Sequence, residues 1–326
     1  MTSFRLTRGA YDNDVRRAGL HLAAGAGLAV AVGLAAARVG ERAGALSGWQ
    51  ALTLGIVQGL TELLPISSSG HLILVPWLAD WQYLEAHPEF NKTFDVALHL
   101  GTMMAVVLYF WREIVELIGA WFGTLRRRSI RTANERIAWI VAIATIPAAV
   151  AGALGEGFVE DRLGEPWQIG LFLAVFGALL WVADRAPERR DMAAIGFRGG
   201  LAVGVAQAIS LAPGVSRSGI TISAARGLGV DRDSAARLSF LLLVPVVFGA
   251  VVFKGVDDVV LGDLPPGSVG PFFIGTLAAA ASGLLAIWAL LGYVRRHDYT
   301  IFVVYRLVVA AAVAALILAG VRDSTF

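Results

Sequence analysis

Long apolar stretches separated by short charged loops dominate the chain, and a stretch of about 20 such residues is what a bilayer-spanning helix requires. They occur at residues 18–37, 94–118, 137–155, 167–183, 234–253, 271–292 and 300–320. Two further apolar regions, 49–80 and 199–230, are interrupted by Pro, Gly and Ser. Each of these predicts two half-helices joined by a polar turn.

Loop charges set the expected sides, because Lys and Arg in short loops stay cytoplasmic. "LRRRSIRTANER" (125–136) is the strongest marker. Placed inside, it sends Glu156, Glu160, Asp161 and Glu165 outside and brings "DRAPERRDMAAIGFR" (184–198) back inside. Asp257, Asp258 and Asp263 then fall outside, and Arg295 with Arg296 inside. The same rule applied backwards puts 80–92 outside. The first interrupted region therefore begins and ends outside, and the second begins and ends inside. Arg5, Arg8, Arg16 and Arg17 lie inside, ahead of an extra N-terminal helix. That helix also resembles a signal peptide ending near 35–37. The expectation is an uncleaved helix, since a multi-spanning protein needs no cleaved signal.

Composition narrows the function. Of 326 residues, 57% are hydrophobic and 16% charged, with a mean hydropathy of +0.68, which is too apolar for a soluble domain and fits a polytopic membrane protein. The absence of cysteine excludes disulfides, thiolate nucleophiles and CxxC redox chemistry. A pI near 9.1 comes from clustered Arg, which reports orientation and attraction to anionic lipid before any nucleic-acid partner, and no such partner is expected. No GxxxxGK[ST] loop supports nucleotide-driven transport.

The two interrupted regions are copies of one another. "GIVQGLTELLPISSSG" (55–70) aligns without gaps onto "GVAQAISLAPGVSRSG" (204–219), pairing Gln58 with Gln207, Thr61 with Ser210, Ser67 with Ser216 and Ser69 with Ser218. Three spanning helices follow each copy, and an odd number inverts the second. The expected fold is therefore an all-α membrane bundle built as an inverted-topology repeat, each unit a re-entrant helix-turn-helix plus three transmembrane helices. Repeat one covers about 47–183 and repeat two about 199–320, within a single domain at 47–320 after an N-terminal extension at 1–46. Such folds bring discontinuous helices together near the midplane.

The turns carry the candidate chemistry. Gln58 and Glu62 are four apart and share one helix face. An intramembrane carboxylate faces a cavity or a partner, so Glu62 is a candidate cation ligand or general base. "PISSSGH" adds Ser67, Ser68, Ser69 and His71, the ingredients of an activated nucleophile beside a helix N-terminus that favours anions. In "PGVSRSGIT", Arg217 has no acidic neighbour in sequence, and its fork suits phosphate oxygens, with Ser216 and Ser218 beside it. The plainer reading is a pair between Arg217 and Glu62 across the repeat interface, and it is compatible with a site that opens for substrate. His99 in "FDVALHLGTMM" reads as a core histidine ahead of a ligand, and Asp95 as a helix cap.

"QGLTELLPISSSGH" and "PGVSRSGIT" resemble the paired signatures of the undecaprenyl-diphosphate phosphatases of the bacitracin-resistance type. The likeness takes in "FDVALHLGTMMAVVLYFWRE" and "SFLLLVPVVFGAVV" and spans about 49–320. It implies a multi-pass hydrolase of the bacterial plasma membrane, active toward the outer face. Such an enzyme converts undecaprenyl diphosphate to undecaprenyl phosphate and phosphate, recycling the lipid carrier of peptidoglycan synthesis. It implies a divalent cation, Mg²⁺ or Ca²⁺, and a polyprenyl diphosphate lipid as partner, with an oligomer left open. By position it assigns Gln58 and Glu62 to the cation and acid–base region. Ser67, Ser68, Ser69 and His71 form the reacting turn, and Ser216, Arg217, Ser218 and Thr221 bind the diphosphate. Gln58 stands where many members carry Glu, which excludes a two-carboxylate metal site on this helix and leaves Glu62 as the metal ligand. Ser68 is the expected nucleophile, with Glu62 or His71 as base; attack by His71 or by water are the alternatives. The rival from another class is a polyprenyl-phosphate transporter, since broken helices in inverted repeats serve transport too.

Overall fold

The computed structural model describes residues 46–81, 87–254 and 269–325; the expected N-terminal helix and the outer loop at 257–263 lie outside them. Among the described residues the chain is all-helical, without β-strands. The helices are α1 (Gly48–Leu63), α2 (Ser68–Ala79), α3 (Pro88–Arg127), α4 (Ala133–Arg162), α5 (Pro166–Asp184), α6 (Phe197–Ile209), α7 (Arg217–Gly227), α8 (Arg232–Lys254), α9 (Val269–Val294) and α10 (Thr300–Leu318).

Six helices, α3, α4, α5, α8, α9 and α10, are long and apolar enough to cross a membrane. Large apolar side chains such as Leu154, Phe158, Val175 and Phe248 point outward from them, an arrangement that water would penalise and lipid satisfies. The protein is a multi-pass membrane protein. All six coincide with stretches expected from hydropathy, although α3 runs for 40 residues and starts earlier than its apolar core. Pro88 at its first turn and the burial of Phe90 and Phe94 among Leu46, Leu54 and Leu98 explain the early start. Asp95 consequently lies inside α3 and does not cap it; His87 holds the cap position.

Each interrupted region is a helix, a break and a second helix. Ser47 opens α1 through a capping box with Gln50. Pro65 ends it, holding Leu64 in the extended region (φ −79°, ψ 146°). In the second region Pro213 and Gly214, the latter at φ 98°, do the same work after α6. Ser67 (φ 77°) and Ser216 (φ 75°) then cap α2 and α7 in one geometry, each hydroxyl accepting from the amide three residues on, Gly70 N at 3.4 Å and Gly219 N at 3.0 Å. The residues paired by the gapless alignment thus take the same strained backbone.

Packing is reciprocal. α1 lies against α9, and α6 lies against α4. Small residues allow the close approach: a Cβ on Gly59 would meet the Ala279 carbonyl at 2.4 Å, and one on Gly204 the Ala144 carbonyl at 2.5 Å. α3 crosses between α8 and α9 with a kink at Phe110, and α10 packs along α5. Among the described residues the largest buried cluster gathers Leu63, Phe110, Ile140, Leu180, Phe240 and Ile287, and Leu63 is the last residue of α1 before the first break. At the basic-loop end Asp184 ties the halves together, accepting from Arg226 Nε at 2.9 Å, Arg232 Nε at 2.8 Å and the Tyr299 amide at 3.0 Å.

Candidate active site

The breaks hold each other. The Gly214 amide donates to Ser67 Oγ at 3.2 Å, and Ser218 Oγ donates to the Leu64 carbonyl at 3.0 Å. Two buried helix N-termini, at Ser68 and Arg217, are thereby fixed side by side, and such ends leave first-turn N–H groups and a positive dipole for an anion.

Glu62, in the last turn of α1 and 5% exposed, is the centre of the arrangement. Its Oε1 accepts from Arg217 Nη2 at 3.0 Å and from Nε at 3.2 Å. Its Oε2 accepts from Ser68 Oγ and, at 3.5 Å, from Gln58 Nε2. One carboxylate therefore contacts the arginine of the second break through one oxygen and the serine of the first through the other. A hydroxyl already donating to a carboxylate is half of the arrangement an activated nucleophile needs. Arg217 is steadied from α8, donating through Nη1 to the Ser239 carbonyl at 2.5 Å, and Ser239 Oγ lies 2.8 Å from Thr221 Oγ1.

The expected serines divide by task. Ser68 faces Glu62. Ser67 and Ser216 are caps, with Ser69 Oγ 3.5 Å from Ser67 Oγ and Ser218 Oγ 3.3 Å from Ser216 Oγ. His71 is engaged on the far side of its turn: Nδ1 lies 2.6 Å from the Ser67 carbonyl, so it carries the proton, and Nε2 accepts from Tyr305 Oη at 2.9 Å. The two rings stack, 5.6 Å between centroids. No hydrogen bond among the described residues joins His71 to Ser68, whose partner is Glu62.

Four residues of the site were not singled out as such from sequence. His99 is no core histidine: it is half-buried, fixed through Nδ1 to the Asp95 carbonyl at 2.7 Å, with Nε2 3.6 Å from Glu62 Oε2. Ser239, Tyr305 and Arg306 come from α8 and α10, outside both motifs. An arginine within the apolar run "TIFVVYRLVV" was the available signal for the last, since charge inside a span needs a reason.

The donors fit a hard divalent cation. Gln58 Oε1 is buried and has no hydrogen-bond partner, on the same amide whose Nε2 donates to Glu62 Oε2 at 3.5 Å, so the pair offers one unsatisfied carbonyl oxygen and one carboxylate, the ligand types such a cation takes. Among the described residues no cluster of three His, Asp or Glu is formed, which leaves the remaining positions of such a shell to substrate oxygens and water.

Residues 51–312 match the model of the family described as Bacitracin resistance protein BacA. The chain belongs to that family. Curated relatives named undecaprenyl-diphosphatase are similar over nearly their whole length. The protein of Pelotomaculum thermopropionicum is 45% identical over 280 residues, covering 85% of this chain and 99% of the relative. That of Moorella thermoacetica is 45% identical over 269 residues, 82% of this chain and 97% of the relative. That of Geobacter sulfurreducens is 45% identical over 271 residues, 82% and 98% respectively.

Proposed function

We propose that the protein hydrolyses undecaprenyl diphosphate to undecaprenyl phosphate and inorganic phosphate, returning the lipid carrier to peptidoglycan synthesis. The observation that carries the reading is the placement of Ser68 and Arg217 on the two oxygens of Glu62. A carboxylate that accepts the serine proton, and a bidentate fork beside it, are what attack on a phosphoanhydride requires.

In this mechanism Arg217 turns from Glu62 to the oxygens of the diphosphate when substrate enters between the helix N-termini. Glu62, released from that pair, takes the Ser68 proton as Oγ bonds to the terminal phosphorus. The bond to the bridging oxygen breaks, and undecaprenyl phosphate leaves. Water then attacks the phosphoserine phosphorus as the P–Oγ bond breaks, Glu62 returns its proton to Ser68 Oγ, and the proton lost by water leaves with the inorganic phosphate. Gln58 and Glu62 would hold the divalent cation, which when bound neutralises charge on the diphosphate. Thr221 and Ser239 keep the Arg217 fork in register.

The inverted repeat belongs to the same proposal. It is supported by the matched φ of Ser67 and Ser216 and by the reciprocal seating of α1 on α9 and of α6 on α4. On this reading α1–α2 and α6–α7 are re-entrant from opposite faces of the bacterial plasma membrane, and the first break opens to the outer face, where spent carrier is released.

The test is phosphate release from purified protein in nanodiscs, with and without chelator. Stoichiometric phosphate and undecaprenyl monophosphate are expected. Binding of the diphosphate without release would overturn the assignment.

A further inference from the structure

Arg306 of α10 is fully buried, at 0% exposure, in the interior of a membrane protein. Among the described residues no carboxylate lies within ion-pair distance of it. Its partners are five backbone carbonyls. Nη2 donates to Gly214 O at 2.9 Å, Val215 O at 3.0 Å and Phe172 O at 3.4 Å. Nε donates to Leu173 O at 3.1 Å, and Nη1 to Pro65 O at 3.4 Å. Pro65 belongs to the first break, Gly214 and Val215 to the second. One guanidinium thus spans both breaks and fastens them to α5.

A buried unpaired cation is costly, and an apolar side chain of similar size would serve packing alone at less expense of stability. The surrounding chain also makes room for it. A Cβ on Gly219 would stand 2.9 Å from Arg306 Nη1, and one on Gly177 3.5 Å from Nε. The preceding residue, Tyr305, holds His71 from the same helix turn. The last helix therefore contacts both breaks and the first turn of α2, although it carries no part of either motif.

We propose that Arg306 is a positioning residue for the phosphatase reaction. Its planar fork fixes the separation and register of the two breaks, and so sets Ser68 and Glu62 against Arg217. It does not touch substrate. The inference rests on the phosphatase reading given above. A lysine in its place keeps the charge but is a point donor without the fork, unable to hold both breaks at once.

The experiment compares wild type with Arg306→Lys and Gly219→Ala, each purified by size exclusion in nanodiscs so that only folded protein is assayed. The second variant keeps the arginine, and its added Cβ would press on the fork at 2.9 Å and on Ser216 at 3.1 Å. Phosphate release is measured across substrate concentration beside thermal melting. Both variants are expected to lose kcat by about a hundredfold, the scale of a misplacement of about 1 Å, with KM for the diphosphate changed by less than about threefold. Wild-type kcat in the folded fraction, whatever the melting temperature, overturns the proposal and reduces Arg306 to a packing role. Failure of both variants to yield folded protein overturns it equally. A wild-type sample that releases no phosphate instead overturns the phosphatase reading, so the two failures are distinguishable.

Discussion

Arg217 Nη2 lies 3.0 Å from Glu62 Oε1, joining side chains 155 positions apart and coming from opposite breaks. Each is held by further hydrogen bonds, Glu62 by Ser68 and Arg217 by Ser239. An ion pair buried in this way contributes little to stability over an apolar packing, whereas breaking it leaves an uncompensated charge. In the proposed mechanism the pair is exchangeable, because a fork that pairs a carboxylate suits phosphate oxygens as well.

Arg217→Lys should therefore keep the fold and lose the reaction. The lysine retains a charge for Glu62 but cannot place two parallel N–H donors on the diphosphate, so phosphate release is expected to fall about 10²- to 10³-fold with a melting temperature near wild type. Turnover within about threefold of wild type would remove Arg217 from phosphate recognition.

Gln58 offers a second handle. Its Oε1 is buried without a partner while its Nε2 lies 3.5 Å from Glu62 Oε2, and Gln58→Glu would supply a second carboxylate there. Phosphate release from wild type should stop in chelator and return with Mg²⁺ or Ca²⁺. In Gln58→Glu the cation concentration giving half-maximal activity should drop about tenfold, because added ligand charge raises affinity for hard cations. An unchanged cation titration in the variant places the cation elsewhere.

Much of this arrangement was legible in the sequence. The lengths of apolar runs located the six spans, and Pro65 with Pro213 located the breaks, since proline cannot continue a helix. The gapless alignment paired Ser67 with Ser216, and their φ values of 77° and 75° agree with it. The Glu62–Arg217 pair followed from the cost of leaving either charge alone in a membrane. His99, Ser239, Tyr305 and Arg306 were not legible as site residues. Hydropathy fixes where a helix crosses but not how it is rotated against its neighbours, so a polar residue on α3, α8 or α10 carries no mark of what it faces. The early start of α3 was hidden for a related reason, because Phe90, ahead of the apolar stretch, is buried by tertiary packing and not by lipid.

The reciprocal packing makes a paired prediction about stability. A methyl on Gly59 would collide with the Ala279 carbonyl at 2.4 Å, and one on Gly204 with the Ala144 carbonyl at 2.5 Å. Backbone cannot yield as a side chain can, so Gly59→Ala and Gly204→Ala should each cost about 1–3 kcal/mol, read as lowered melting temperature and lowered yield. A clear loss in one with none in the other would contradict the equivalence of the two interfaces.

The proposed mechanism has Ser68, with Glu62 as its base, attack the terminal phosphorus. The most direct measurement is rapid quenching of the purified protein with undecaprenyl diphosphate labelled in its terminal phosphate, followed by mapping of the label on the chain. A transient phosphoserine at position 68, absent from Ser68→Ala, is expected. Label on His71, or full turnover by Ser68→Ala, would contradict it.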